Sequence, residues 1–173
     1  HEDFIDDVAY NAPSLALAAE SPNRLIYATP ELKQPVHISG TAQITIRIAS
    51  NAPAANLSVY LVQLPWFEGP VGTANLITRG WADPQNAKSL TKGGDYHSMQ
   101  AGEPLKPGEF VTLTFDLEPT DRIVPAGKRI ALMILSSDRD FTLWPKAGTK
   151  LTVDLDATRL QIPIVGGASV LPK

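Results

Sequence analysis

The feature that most constrains the fold of this chain is a repeated alternation of apolar and polar residues. Residues 41–49, TAQITIRIA, place Ile44, Ile46 and Ile48 on one face of an extended chain. The same period of two recurs in the segments 57–64, 110–117, 151–155 and 159–164. This period is typical of strands with one buried and one exposed face. The pattern therefore predicts a protein built mainly from short, half-buried β-strands.

One run departs from this alternation. Residues 130–135, IALMIL, are apolar at every position, which is typical of a central strand covered on both faces. A Pro125–Gly127 turn precedes it. Pro163 has no N–H to donate to a neighbouring strand, so we expect the last strand to lie at a sheet edge. Weaker strand patterns lie at residues 25–29 and 76–80.

Helix-forming sequence is scarce. Residues 14–20 have helical propensity, with Ser14 as the expected N-cap. Residues 82–108 have almost no apolar periodicity and predict a long loop. About eight strands with little helix favour an all-β fold, a jelly-roll β-sandwich that buries the apolar faces of two sheets against each other. We expect one domain over residues 1–173.

Composition excludes several classes of function. The net charge of −3 argues against nucleic acid as a partner, because phosphate binding needs a basic surface. No apolar run approaches the roughly 18 residues of a membrane span. The chain has no Cys, which excludes thiol nucleophiles and disulfides. It opens HEDFIDD, without a signal peptide, so we expect a fragment of a longer protein from an exported or a cytoplasmic bacterial parent.

The chain lacks the pattern of a serine hydrolase. A nucleophilic serine on a strand-to-helix elbow needs Gly-x-Ser-x-Gly, and no serine here lies in that pattern. A Ser136–His97–Asp140 triad can be drawn, but neither spacing nor elbow chemistry supports it. His37 is expected on a strand. The charged group after Ser137, residues 138–140, is expected to be a local ion-pair cluster, which contributes little to stability if it is exposed. We therefore predict no catalytic residue.

Metal and cofactor sites are also poorly supported. The acidic residues near the N-terminus are Glu2, Asp3, Asp6 and Asp7. Their oxygens could bind Ca²⁺, but the residues lack the spacing of an EF-hand loop. A solvated acidic terminus is the simpler interpretation. No Gly-rich loop opens a helix, so no phosphate cradle is expected. We predict no bound cofactor.

Aromatic residues at expected loops and strand ends form the one candidate binding surface, and they are Trp66, Phe67, Trp81, Phe141 and Trp144. Exposed aromatics on a sandwich could stack on sugar rings or form an interface with another domain. They could equally seal the open ends of the sandwich. Trp66 and Phe67, followed by Glu68-Gly69-Pro70, have the pattern of a protruding tip.

An ordered series of segments carries a family resemblance. The chain contains SPNRLIYATPEL, HISGTAQITIRIAS, NLSVYLVQLP, ITRGWADPQN and PLKPGEFVTLTFDLEPTDRIVPAGKRIALMILSSD, in that order. This series resembles the C-terminal domain of X-Pro dipeptidyl-peptidases and of the related cocaine-esterase-type acyl hydrolases. Where many relatives have Gly-His-Arg in a turn, this chain has Gly127-Lys128-Arg129. The resemblance covers nearly the whole chain.

The resemblance implies a galactose-binding-domain-like jelly roll that follows an α/β-hydrolase domain carrying a Ser-Asp-His triad. Such a domain packs on the hydrolase, helps to wall its active-site cleft and shapes assembly, so a homo-oligomer is also implied. This chain contains none of the triad positions. The leading hypothesis is a non-catalytic C-terminal domain of an X-Pro dipeptidyl-peptidase-like enzyme. The alternatives are a free-standing carbohydrate-binding module and the same domain from an ester hydrolase.

Overall fold

A computed structural model describes residues 1–67, 75–94 and 102–172. The single α-helix among these residues, α1, covers Ala12–Leu17. Two short 3-10 helices lie at Pro84–Asn86 and Ala168–Val170. The described strands are β1 (Glu2–Ile5), β2 (Leu25–Ala28), β3 (Val36–Gly40), β4 (Gln43–Ser50), β5 (Leu57–Leu64), β6 (Leu76–Ala82), β7 (Phe110–Asp116), β8 (Thr120–Val124), β9 (Arg129–Leu135) and β10 (Lys150–Gln161).

The strands form two four-stranded antiparallel sheets and one separate pair. The first sheet has the order β1-β10-β4-β7, and the second has the order β2-β9-β5-β6. The remaining strands, β3 and β8, pair with each other. This arrangement confirms the predicted all-β sandwich with little helix. The jelly-roll and galactose-binding-like topologies stay predictions.

The main core lies between the two sheets, as the alternating pattern predicted. Ile44, Ile46 and Ile48 of β4 are fully buried and share one apolar cluster with Val59 of β5 and Ile134 of β9. The intervening polar side chains point to the opposite face of the first sheet. There, the Thr45 and Thr114 hydroxyl oxygens lie 2.9 Å apart in a hydrogen bond. The period of two thus separates a dry face from a polar one.

The second sheet is buried on both faces because a helix covers its outer side. Ile130 and Ile134 of β9 point into the main core, whereas Ala131 and Met133 join a second cluster. This second cluster contains Leu15 of α1. The uniformly apolar run 130–135 is therefore a central strand, as predicted, with a sheet on one face and a helix on the other.

The cap of α1 corrects the predicted one. Asn11, not Ser14, is the N-cap, and its side-chain oxygen accepts a hydrogen bond from the Ser14 backbone N–H at 3.1 Å. At the other end, the buried Arg24 guanidinium donates to the carbonyl oxygens of Leu15 and Ala18. Burial lowers the pKa of Arg24. The helix therefore begins earlier than predicted because the amide of Asn11 reaches the first free N–H groups.

The predicted last strand, 159–164, is the C-terminal part of a longer strand. Among the described strands its residues 159–161 pair with β4 alone, so this part lies at a sheet edge as predicted. The segments 151–155 and 159–164 merge into the single strand β10, with a register shift between Asp154 and Arg159. Its first residues lie between β4 and the unpredicted strand β1. Pro163 lies beyond the end of β10 and so does not interrupt the ladder. The N-terminal segment occupies the edge because Phe4 inserts into the main core.

Within the described ranges, none of the helices has the length and apolar character needed to cross a bilayer.

Candidate functional site

The two serines after β9 are structural groups. Ser136 and Ser137 are buried, and the Ser136 hydroxyl donates to the Asn56 carbonyl oxygen at 2.9 Å. Ser137 donates to the Asp6 carboxylate twice, from its backbone N–H at 2.9 Å and from its hydroxyl at 2.8 Å. Asp6 thereby ties the N-terminal segment to the end of β9. Both hydroxyls are held in hydrogen bonds with the protein itself.

The next residue, Asp138, is a buried carboxylate with two side-chain donors. Only 1% of Asp138 is exposed. One of its carboxylate oxygens accepts hydrogen bonds from the Tyr60 hydroxyl and from Trp81 Nε1, the latter at 3.0 Å. Burial, followed by the hydrogen bond to Asp138, raises the pKa of Tyr60. The prediction of a local ion-pair cluster at 138–140 is wrong for Asp138, because its side-chain donors are the neutral Tyr60 of β5 and Trp81 of β6.

Asp138 also organises the turn that follows it. Its carbonyl oxygen accepts from the backbone N–H of Phe141 at 3.0 Å and from that of Thr142 at 2.9 Å. The Thr142 hydroxyl accepts from the Asp138 backbone N–H at 3.0 Å. From β5's N-terminal side, Asn56 donates to the Leu143 carbonyl oxygen. The turn is thus held by its own backbone and by a neighbouring side chain.

This turn presents large apolar side chains to solvent. Phe141 is 55% exposed, Leu143 91% and Trp144 57%. The Phe141 ring lies 5.3 Å from the Trp81 ring, measured between centroids. The Arg79 guanidinium lies 4.0 Å from the Phe141 centroid and 4.9 Å from that of Trp81. We call this surface the aromatic lip, and its members are Arg79, Trp81, Phe141, Leu143 and Trp144.

The other two predicted aromatics lie apart from the aromatic lip. Trp66 is half-buried and packs against the cluster beneath α1. Phe67 is 69% exposed, and its carbonyl oxygen accepts from the Asn75 amide at 2.7 Å. Glu68, Gly69 and Pro70 lie outside the described residues. The five predicted aromatics therefore belong to two separate places in the fold.

Sequence reasoning missed two members of this surface, Arg79 and Leu143. Arg79 makes a 3.4 Å ion pair through Nε with Glu118, and this buried nitrogen has no hydrogen-bond partner within the described ranges. A signal was present, because Arg79 and Trp81 lie two residues apart on one strand and so share a face. Nothing in the sequence indicated that the same face would meet the 138–144 turn.

The structure describes two of the three residues of the hypothetical triad. Ser136 is buried and Asp140 is exposed, while His97 lies outside the described residues. His37, on strand β3 as expected, contacts Asp121, with 2.5 Å between Nε2 and a carboxylate oxygen. The hydrogen bond from His37 lowers the pKa of Asp121. The imidazole therefore contacts an exposed carboxylate on β8.

The N-terminal acidic residues have separate partners. Asp3 accepts from Lys150 at 2.9 Å and from Thr152 at 2.6 Å, and these hydrogen bonds lower its pKa. Glu2 accepts from the Tyr27 hydroxyl at 2.8 Å. Asp6 bonds Ser137, and Asp7 accepts from the Ala9 backbone N–H. Across the part of the chain that the structure describes, no three His, Asp or Glu side chains are grouped to hold a metal ion.

A cavity of about 530 Å³ lies beside β6 and the β7–β8 connection. Three carboxylates line it, and each has a protein partner. Asp83 caps the 3-10 helix at Gln85, Asp116 accepts from Gln43 at 2.8 Å, and Glu118 pairs with Arg79. The cavity therefore presents carboxylates that already stabilise the fold.

Comparison with known proteins places the chain in a family. The family described as "X-Pro dipeptidyl-peptidase C-terminal non-catalytic domain" matches residues 1–170. The chain belongs to this family. The hydroxyls of Ser136 and Ser137 both donate to acceptors within the protein, which agrees with a non-catalytic domain. The match also confirms the family resemblance of the ordered segments.

Curated relatives of this X-Pro dipeptidyl-peptidase C-terminal domain are much longer than the chain. A "Putative Xaa-Pro dipeptidyl-peptidase" of Rhodopirellula baltica is 49% identical over 168 residues, which are 96% of this chain and 25% of that protein. An Xaa-Pro dipeptidyl-peptidase of Lactobacillus delbrueckii subsp. lactis is 31% identical over 157 residues, or 79% of this chain and 20% of that protein. The chain thus spans about a quarter or less of these relatives.

Solved structures share the fold of this domain. An α-amino acid ester hydrolase matches with a TM-score of 0.65 at 14% identity, over 95% of this chain and 32% of that one. An aminopeptidase from the marine sediment archaeon Thaumarchaeota archaeon matches with a TM-score of 0.66 at 17% identity, over 95% and 33% of the two chains. At these identities the likeness establishes the fold alone.

Proposed function

We propose that this domain is the C-terminal part of a longer serine hydrolase that removes N-terminal X-Pro dipeptides, and that it packs on an α/β-hydrolase catalytic domain. The observation that carries the proposal is the alignment with the Rhodopirellula baltica relative, which uses 96% of this chain but 25% of the relative. Most of such a protein lies outside the region that this domain matches. The triad belongs in that remainder.

The chemistry of this chain also supports placing the catalytic residues in the rest of the longer protein. Acyl-enzyme catalysis needs a nucleophile, a base within hydrogen-bond reach and an oxyanion hole. The sequence has no Gly-x-Ser-x-Gly elbow, and the hydroxyls of Ser136 and Ser137 are committed to Asn56 and Asp6. The contribution of this domain is therefore packing, the shape of the neighbouring cleft, and assembly of the enzyme into oligomers.

A peptidase parent is favoured over an ester hydrolase parent. The relatives at 49% and 31% identity are named as Xaa-Pro dipeptidyl-peptidases, the first as a putative one, whereas the likeness to an ester hydrolase is at 14% identity. The two classes share the acyl-enzyme chemistry and differ in the substrate pocket. That pocket would be formed mainly by the catalytic domain.

The test compares the natural longer chain with the 173-residue chain. We expect the longer chain to cleave an Ala-Pro chromogenic amide, to do so faster than an acyl ester, and to lose activity with a serine-directed inhibitor. The 173-residue chain should give the same rate as buffer. Inhibitor-sensitive turnover by the 173-residue chain, or a longer chain that cleaves neither substrate, would contradict the proposal.

A further inference from the structure

We infer that the aromatic lip is the face that docks on the catalytic domain of the longer chain, and that the buried Asp138 is the residue that positions it. The inference rests on the proposed function and adds to it the contact surface. Three members of the lip, Phe141, Leu143 and Trp144, expose large apolar side chains within four residues of sequence. Apolar side chains clustered in this way mark interaction sites more often than scattered ones do.

The composition of the lip is that of an interface centre. Trp and Arg are enriched among residues whose truncation costs binding energy, and here Arg79 stacks on the rings of both Trp81 and Phe141. Stacking keeps the guanidinium charge over apolar surface. Glu118 balances that charge at 3.4 Å. The lip is therefore apolar with one partly neutralised cation at its edge.

The lip is organised before any partner binds. The backbone N–H groups of Phe141 and Thr142 donate to the Asp138 carbonyl oxygen, and Asn56 holds Leu143. The Asp138 carboxylate in turn accepts from Tyr60 and Trp81, which locks the turn to β5 and β6. The three exposed apolar side chains of this ordered loop bury little surface within their own domain and so add little to its stability. The order of the loop does lower the entropy cost of docking.

The occupant that fits best is the rest of the same polypeptide. The curated relatives are about four times as long as the matched region, so a large partner is covalently attached and present at a high effective concentration. Under those conditions a small apolar patch is enough for stable docking. A second copy of this chain and an oligosaccharide are the competing occupants, and the experiment below separates them.

Hydroxyl-radical labelling measures whether the lip is covered. We expect Phe141, Leu143 and Trp144 to react several-fold more slowly in the longer chain than in the 173-residue chain. Ile123 of β8 is a matched control, since it is 64% exposed and lies on a different strand pair. Equal labelling of the lip in the two chains would overturn the inference. So would lip protection in the 173-residue chain that rises with its concentration, or that appears on adding oligosaccharides.

A pair of variants tests the contact itself. In the longer chain, Leu143→Asp places a charge in the docked surface, and we expect Trp144 labelling to rise several-fold. Ile123→Asp should leave Trp144 labelling unchanged. Both residues are exposed, so the thermal midpoint of the 173-residue chain should not move in either variant. Unchanged Trp144 labelling in Leu143→Asp would exclude Leu143 from the interface.

The positioning role of Asp138 has its own readout. In the 173-residue chain, Asp138→Asn should speed backbone hydrogen exchange at residues 139–144 several-fold. The amide NH2 replaces the oxygen that accepts from the Asp140 backbone N–H, and the remaining amide oxygen is an uncharged, weaker acceptor for Tyr60 and Trp81. Asp140→Asn is the control, since its side chain is exposed. Unchanged exchange in Asp138→Asn would overturn the positioning role.

The labelling assay tests the docking surface and the activity assay tests the proposed function, so each can be contradicted without the other. An active longer chain whose lip stays fully labelled would overturn the docking surface and leave the proposed function standing. A longer chain whose lip is covered but which has no serine-type hydrolase activity would do the reverse.

Discussion

At the scale of single residues, one buried carboxylate determines most of the local structure around the candidate site. Asp138 lies in a run of polar residues, SSDRD, that is typical of an exposed strand end. Its carboxylate is nevertheless buried beneath Tyr60 and Trp81. Burying a charge is costly unless hydrogen-bond donors surround it. Two side-chain donors from neighbouring strands meet that requirement here.

Removing this carboxylate should destabilise the protein. In Asp138→Ala, the Tyr60 hydroxyl and Trp81 Nε1 lose their common acceptor, and we expect the free energy of unfolding to fall by roughly 2–4 kcal/mol. Urea denaturation followed by Trp fluorescence measures the change. Asp140→Ala is the matched control, because Asp140 is exposed. A loss for Asp138→Ala no larger than for Asp140→Ala would contradict this expectation.

The same contact should make the protein sensitive to alkali. Burial raises the pKa of Tyr60 in the folded state, while an unfolded tyrosine has a pKa of about 10. The unfolded state therefore releases the proton first, so this contribution is complete below about pH 10 and falls as pH rises further. Tyr60→Phe should be less stable at pH 8 but should lose less additional stability above pH 10. Denaturant midpoints across this range measure both effects.

Tyr10→Phe serves as the comparison, because Tyr10 is 45% exposed. It should follow the wild-type dependence on pH. A Tyr60→Phe variant whose stability falls as steeply as that of the wild type above pH 10 would show that other groups cause the alkaline loss.

At the scale of elements, the short helix α1 explains why two central strands are apolar on both faces. A helix of six residues has little stability of its own in water. Here Asn11 caps its start and Arg24 binds the carbonyl oxygens at its end. The helix then buries Leu15 against Met133 and Val62. Packing on the sheet, more than intrinsic propensity, holds this element.

The two faces of α1 should therefore respond differently to truncation. Leu15 is 3% exposed and Leu17 is 41% exposed on the same helix. Leu15→Ala leaves a cavity over the second sheet and should cost about 2–5 kcal/mol of unfolding free energy. Leu17→Ala should change it by about 0.5 kcal/mol or less. Equal losses in urea denaturation would show that the helix does not pack as described.

At the scale of the whole molecule, the two apolar clusters share the same strands. β5 contributes Val59 to the cluster between the sheets and Tyr60 to the cluster under α1, and β9 divides its side chains in the same way. Neither cluster can open without disturbing these strands. We therefore propose that residues 1–173 form one cooperative domain.

Cooperative unfolding would be visible as coincident transitions. Far-UV circular dichroism reports the unfolding of the sheets. Trp fluorescence reports the surroundings of Trp81 and Trp144 at the aromatic lip and of Trp66 beneath α1. We expect both signals to give the same denaturant midpoint in the 173-residue chain. Two separated midpoints would show that part of the chain unfolds independently and would contradict the single-domain proposal.

The sequence by itself determined most of the strands and which faces they bury. The alternation around Ile46 and the uniform run 130–135 indicated a sandwich with one doubly covered strand, because side-chain direction in a strand depends only on residue parity. The order of quoted segments also indicated the family. Strands β1 and β8 were missed because neither EDFI nor TDRIV alternates apolar and polar residues.

Only the tertiary structure decided where the polar and aromatic groups meet. Asp138 and Tyr60 are 78 residues apart in sequence, and Arg79 and Phe141 lie on different elements. Local patterns contain no record of which strand becomes a neighbour, so Asp138 resembled an exposed charge and Arg79 gave no sign of stacking on Phe141. Likewise, the sequence grouped Trp66 and Trp81 together as aromatics at loops and strand ends, with Trp66 in a protruding tip. Packing placed one beneath α1 and the other on the aromatic lip, because the pairing of β5 with β6 and β9 sets the distances between them.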